Sequence, residues 1–134
     1  MSNYVLDASA LLALLNNESG AKRVSELLSE SVISAVNLCE SVGKLTDAGL
    51  SVEEARNSIE LLNLEVVPFD EGLAYQAAGL VAQTRKLGLS LGDRACLALG
   101  LALKKPVLTA DHLWSRLKLD ISVEVIRENS PRLR

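Results

Sequence analysis

The chain has one histidine, two cysteines and four aromatic residues. A single histidine, His112, leaves a His-rich metal cluster or a Ser-His-Asp triad without its members, and His112 is expected on the surface or in a neighbouring loop. Cys39 and Cys96 fall in separate apolar helical patterns and form no C-x-x-C pair. A thiol zinc site and a disulfide framework are therefore excluded, and both are expected as reduced, buried thiols. There is no Gly-rich phosphate loop ending in Lys-Ser/Thr, no G-x-G-x-x-G and no H-E-x-x-H, which removes the commonest nucleotide, dinucleotide and zinc-protease chemistries. Apolar residues come in short interrupted runs, so no membrane span is expected. The first residues carry no basic region and no small-residue cleavage site, so Tyr4-Val5-Leu6 reads as a strand rather than a signal peptide, and a cytoplasmic location is expected.

What is present is a folded composition: 49% hydrophobic and 23% charged over 134 residues, enough for one domain spanning 1–134 and too little for two. Net charge is −3, unevenly spread. Residues 104–134 hold seven basic and four acidic residues, a local +3, while the remainder holds seven basic and thirteen acidic, −6. The C-terminal quarter is locally basic, and Arg116, Lys118 and Arg127 are its candidate phosphate contacts.

Apolar periodicity alternates strands with helices. Tyr4 to Leu6 is a strand followed by a helix over Ala8 to Leu15, and Ala21 to Ser29 is helical before a strand at Val32-Ile33. Ala35 to Ala48 is a helix ended by Gly49, and Ser51-Val52-Glu53-Glu54 opens a capping-box helix that runs to Leu62. Leu64 to Pro68 is a strand; Asp70 caps one long helix that Gly88 stops. Ser90 starts an almost wholly Ala/Leu helix through Leu103, with no polar face and hence a central position. Pro106 to Thr109, a short helix at His112 to Leu117, and Ile121 to Ile126 complete the pattern. The expected fold is α/β: a three-layer α/β/α sandwich around a mostly parallel sheet of four to five strands.

Four carboxylates stand at or just inside the ends of apolar segments: Asp7, Glu40, Asp93 and Asp111. An isolated ionised carboxylate is costly to bury unless it is paired, protonated or metal-bound, and no Lys or Arg lies within the strand runs leading to Asp7 or Asp111. Each acid also has a plainer role. Asp7 and Asp111 suit helix N-caps, Asp93 completes a capping box with Ser90, and Glu40 suits an exposed pair with Lys44. Asp7 and Asp111 nevertheless both follow strands, and an open parallel sheet binds ligands beyond the carboxyl ends of its strands, where strand order reverses. Hard oxygen donors converging there suit Mg²⁺ or Mn²⁺, a site able to activate water and to stabilise a phosphoryl transition state. Ser9 and Thr109, each two residues from an acid, suit support of those carboxylates or cap turns. Trp114, beside Arg116 and Lys118, suits a base-stacking platform or a core anchor.

An aspartyl-nucleophile phosphohydrolase would have a second Asp where Ser9 stands, and a phosphoacceptor receiver would have adjacent acids near its first strand. Neither pattern is present. The order and spacing of Val5-Leu6-Asp7-Ala8-Ser9, Ala35-Val36-Asn37-Leu38-Cys39-Glu40, Gly88-Leu89-Ser90-Leu91-Gly92-Asp93-Arg94-Ala95 and Val107-Leu108-Thr109-Ala110-Asp111 resemble the PIN-domain family, over residues 4 to 127. Within it the chain is most similar to the VapC-type toxins of prokaryotic toxin-antitoxin pairs. The resemblance implies a Mg²⁺- or Mn²⁺-dependent endoribonuclease whose acidic metal site is Asp7, Glu40, Asp93 and Asp111, supported by Ser9 and Thr109. It further implies a structured RNA substrate such as tRNA, a homodimer, and a cognate antitoxin seated in a hydrophobic groove, for which helices Ala21 to Ser29 and Val52 to Leu62 are candidates. The rival is a non-catalytic module binding a metal or a basic partner on the same fold.

Overall fold

A computed structural model describes residues 2–127. Five strands, β1 (Tyr4–Leu6), β2 (Ser31–Ser34), β3 (Glu65–Val67), β4 (Val107–Thr109) and β5 (Val123–Val125), form one sheet in the order β3-β2-β1-β4-β5, every pair parallel. Helices α1 (Ala8–Leu15), α2 (Ala21–Leu27), α3 (Ala35–Asp47), α4 (Val52–Glu60), α5 (Glu71–Ala78), α6 (Val81–Thr84) and α7 (Leu91–Leu103) make the crossovers. The chain steps outward from β1 to β2 and β3, then returns to place β4 on the other side of β1. Strand order therefore reverses between β1 and β4, whose carboxyl ends run into Asp7 and Asp111.

The period-2 alternation of strands sorts the core into two faces. Val32, Val5 and Val107 are neighbours in register and belong to the cluster containing Ala77, Leu80, Trp114 and the Cys96–Leu99 turn of α7. Ile33, Leu6 and Leu108, the next row, face the opposite layer, where α1, α2, α3 and α4 contribute Leu11, Ala13, Val24, Leu45 and Ala55. The three-layer α/β arrangement read from the sequence is the one observed. Residues Ala95 to Gly100 of α7 are all buried, as its missing polar face requires. Arg23 of α2 grips Glu124 of edge strand β5 through two bonds of 2.6 and 3.0 Å, which ties the outer layer to the sheet edge.

Two expectations are corrected. The single helix expected between Asp70 and Gly88 is α5, α6 and a 3-10 turn at Arg85–Leu87. The break falls at Gly79, where Leu80 N–H bonds to Ala77 O, three residues back, at 3.1 Å. Glycine has no side-chain packing to hold an α-helical turn, and the buried Thr84 hydroxyl bonds back to Leu80 O at 2.8 Å, fastening the restarted turn. Cys39 is exposed, because the apolar stripe of α3 runs through Leu38, Val42 and Leu45 and leaves position 39 outside it; Cys96 is buried. Of the two roles open to Trp114 the core anchor is the one observed: it is 1% exposed within the α7-side core and has no face for a base.

Candidate active site

Asp7 ends β1 and caps α1. Its extended backbone (φ −86°, ψ 177°) lets Oδ1 accept from Ala10 N–H at 2.8 Å, while Asp7 N–H donates to Leu108 O of β4 at 3.1 Å. Two hydroxyls hold the carboxylate on its other sides. Ser9 donates to Oδ1 at 2.7 Å and Thr109 donates to Oδ2 at 2.6 Å. With their only protons given to Asp7, both hydroxyls act as acceptors elsewhere: Ser9 Oγ takes Ala110 N–H at 2.8 Å and Thr109 Oγ1 takes Asp111 N–H at 3.1 Å. Ser9 and Thr109 thus weld β1–α1 to the end of β4, holding the Asp7 carboxylate and capping the following backbone at once.

Two of the other three acids also cap. Asp93 Oδ2 accepts from Ser90 N–H at 2.9 Å and Ser90 Oγ accepts from Asp93 N–H at 3.2 Å, a complete capping box on α7. Asp111 Oδ1 accepts from Leu113 N–H at 2.9 Å at the start of the 3-10 turn His112–Arg116. Glu40 Oε1 accepts from Asn37 Nδ2 at 3.0 Å. The plain capping roles are real, and convergence is real as well: Asp7, Glu40, Asp93 and Asp111 line one cavity of about 310 Å³ with Ser9, Leu12, Lys44 and Ser90. A helix end turned toward the cavity serves both ends at once, since the N–H groups that need a cap also supply partial positive charge to the acids.

That compensation is incomplete. Burial pushes the Asp7 carboxyl from 3.8 up to about 6, against the pull of the Thr109, Ser9 and Ala10 hydrogen bonds, and the Asp93 charge adds to the rise. Burial likewise drives the Cys96 thiol upward, with the Asp7, Asp93 and Glu40 charges contributing, so those three acids act on one buried point from three segments of the chain. Lys44, one helical turn beyond Glu40, lines the same cavity without forming an ion pair with it. The exposed Glu40–Lys44 pair considered from the sequence is therefore absent among the described residues.

The donor set suits a hydrated divalent ion. Glu40, Asp93 and Asp111 each spend one oxygen on a protein N–H, and among the described residues Glu40 Oε2, Asp93 Oδ1 and Asp111 Oδ2 accept no hydrogen bond. In the same set no three acidic, thiol or imidazole groups close directly on a single point. Mg²⁺ characteristically binds through one or two carboxylates and keeps several waters, and a cavity of this volume has room for them.

The basic candidates divide. Arg127, just past β5, lines two cavities that share Ser9 with the acidic one: a 240 Å³ space with Lys44 and Glu18, and a 380 Å³ space with Asp111 and His112. Among the described residues its one ion pair is a long one, 3.7 Å to Glu18. Arg116 and Lys118 are exposed and line neither these spaces nor the acidic cavity. Arg132 and Arg134 lie outside the described residues. Lys44, Asn37 and Gly92 are site residues that the sequence reading did not assign. Their signal was position, three and four residues from Glu40 and one from Asp93, which carries no meaning until α3 and α7 are known to meet.

The fold thus joins an all-parallel α/β sheet to four acids gathered at the reversal between its central strands. Residues 4–119 match the family model described as PIN domain, and the chain belongs to that family. Its fold is shared by the DNA-bound VapBC structure from Salmonella typhimurium (TM-score 0.71, 20% identity, 92% of this chain and 98% of that one) and by VapBC-1 from nontypeable Haemophilus influenzae (0.69, 22%, 92% and 97%). VapBC-5 from Mycobacterium tuberculosis, a member of the VapBC family of toxin-antitoxin systems, is similar at TM-score 0.59 with 22% identity, over 96% of this chain and 100% of that one. Among curated proteins, a tRNA N6-adenosine threonylcarbamoyltransferase from Herminiimonas arsenicoxydans is 34% identical over 110 residues, 79% of this chain. The chain spans 30% of that protein's length.

Proposed function

We propose that this protein is a Mg²⁺- or Mn²⁺-dependent endoribonuclease and the toxin of a VapBC-like toxin-antitoxin pair. The observation that carries the reading is the gathering of Asp7, Glu40, Asp93 and Asp111 around one cavity at the β1/β4 reversal, with three carboxylate oxygens that accept no hydrogen bond among the described residues. Those acids are the residues that would hold the ion. When bound, a divalent ion supplies an activated water and neutralises charge on a transferring phosphoryl group.

The chain's own groups do the rest. Ser9 and Thr109 fix the Asp7 carboxylate and hold it ionised against the cost of burial. Lys44 and Arg127 stand beside the acids and offer cations to the phosphates that flank the cut bond. A net-negative protein thereby accepts an anionic strand: local cations, not overall charge, meet the backbone. Structured RNA, tRNA included, is the proposed substrate class, and the cytoplasm the proposed compartment. Among the described residues no helix is long and apolar enough to cross a membrane.

An antitoxin and a second copy of the chain are the proposed partners, supported by the shared fold with VapBC chains. The apolar groove available to a partner runs between α3 and α4, about 750 Å³ lined by Leu38, Val42, Val52, Ile59, Leu64 and Val66. It pairs α4 with α3, not with α2 as the sequence suggested, because α2 packs on α1.

Incubating purified protein with structured RNA and Mn²⁺ tests the proposal. Wild type should cut, while Asp7→Asn and Asp93→Asn should fall at least about a hundredfold, the scale at which loss of a charge-stabilising group acts. Equal activity in all three, or RNA binding with no cutting, would refute it; the latter result is that of a non-catalytic binding module.

A further inference from the structure

Glu40 differs from the other three acids in having no backbone cap of its own. It sits in the second turn of α3, on a side chain with three rotatable bonds that would sweep a wide arc if left free. Two features restrain it. Asn37, one turn earlier on the same face and 1% exposed, uses both protons of Nδ2: one goes to Glu40 Oε1 at 3.0 Å, the other to Gly92 O of α7 at 3.0 Å. The reversed amide would set its oxygen against a carboxylate and a carbonyl, so these partners fix its orientation. Gly92 supplies the second restraint by what it lacks. A Cβ there would collide with both oxygens of Glu40, so the carboxylate lies directly on the bare backbone of the first turn of α7. Gly92 has no left-handed backbone to explain its identity; the reason is space.

We infer that Asn37 and Gly92 are positioning residues for Glu40, clamping its carboxylate onto the same helix turn that carries Asp93. The first turn of α7 then serves as a common reference for two acids separated by more than fifty residues: Asp93 through its capping box with Ser90, Glu40 through the Asn37 amide and the glycine shelf. Rotation of α7 relative to α3 would move both acids together. The inference rests on the reading of the acids as a divalent-ion site, and it assigns Asn37 no contact with substrate or ion.

Mn²⁺ binding by calorimetry or electron paramagnetic resonance, on wild type, E40A, N37A, G92A and the doubles E40A/N37A and E40A/G92A, separates positioning from general structural support. Groups that orient a metal-binding side chain are worth roughly 10- to 100-fold in affinity. N37A and G92A should each weaken Mn²⁺ binding by about tenfold alone and by less than about twofold in the E40A background, since both act through Glu40. Equal losses with and without Glu40, or no loss in the single variants, would overturn the inference. Crystal structures of G92A and of Asn37→Ser, the latter in case N37A fails to fold, give a readout independent of metal: the Glu40 carboxylate should leave the first turn of α7. A wild type that binds no Mn²⁺ would sink the ion-site reading alone. A carboxylate unmoved in both variants would sink the clamp.

Discussion

Thr109 Oγ1 lies 2.6 Å from Asp7 Oδ2, joining residues 102 apart in sequence across the seam where strand order reverses. The hydroxyl donates to the carboxylate while accepting Asp111 N–H, so one side chain couples two of the four acids. Thr109→Val keeps the shape and removes the bond. Loss of a hydrogen bond to a buried charge should cost about 1.5–3 kcal/mol at neutral pH and raise the Asp7 carboxyl above its present level. Urea unfolding should show the first effect, and an acid limb of the cleavage profile displaced to higher pH the second.

The folded state binds the Asp7 proton more tightly than the unfolded chain does, about 6 against 3.8. Stability from this group is therefore greatest at low pH, falls as pH climbs through roughly 4 to 6, and is level above; about two units correspond to about 3 kcal/mol. Asp7→Asn abolishes that fall. In EDTA at pH 7.5 the Asn variant should be more stable than wild type by up to about 3 kcal/mol, with the gap closing toward pH 4. Urea midpoints at both pH values check it, and a gap that widens on acidification contradicts it.

Adding Mn²⁺ should close most of that gap. A ligand that binds only the folded state at one hundred times its dissociation constant stabilises it by about 2.7 kcal/mol. Wild type should gain this on moving from EDTA to saturating Mn²⁺, while Asp93→Asn and Asp111→Asn should gain much less at the same concentration. Thermal unfolding with and without the ion measures the difference.

The cations beside the site and those away from it should behave differently. Lys44→Ala and Arg127→Ala should each raise KM with kcat little changed and reduce the slope of log affinity against log salt by about one. Arg116→Ala and Lys118→Ala should leave cleavage within about twofold, as substitutions of exposed groups outside the cavity. Trp114→Ala should cost about 3–5 kcal/mol as a core truncation and leave the salt slope unchanged.

Much of this was legible in the sequence because local chemistry decides it. Strand β1 announced itself by a short apolar run, α1 by the Asp that caps it, α4 and α7 by capping boxes that form as written. The four acids stood out because each sits where an apolar segment ends. Cys39 and the helix break at Gly79 were not legible: one depends on which stripe of α3 meets the core, the other on a buried threonine choosing a backbone partner.

The sequence by itself determined the alternation of strands and helices, the capping of each helix that carries an acid, and the identity of the acids, since these depend on residues within one turn of each other. Tertiary structure alone decided that Lys44 stands beside those acids and Arg127 on their flank while Arg116 and Lys118 do not, that Trp114 is core, and that Glu40 rests on Gly92 under Asn37. The physical reason is that helix ends and strand registers are set by neighbouring residues, whereas the approach of α3 to α7 and the crossing from β1 to β4 follow from how whole layers close over the sheet.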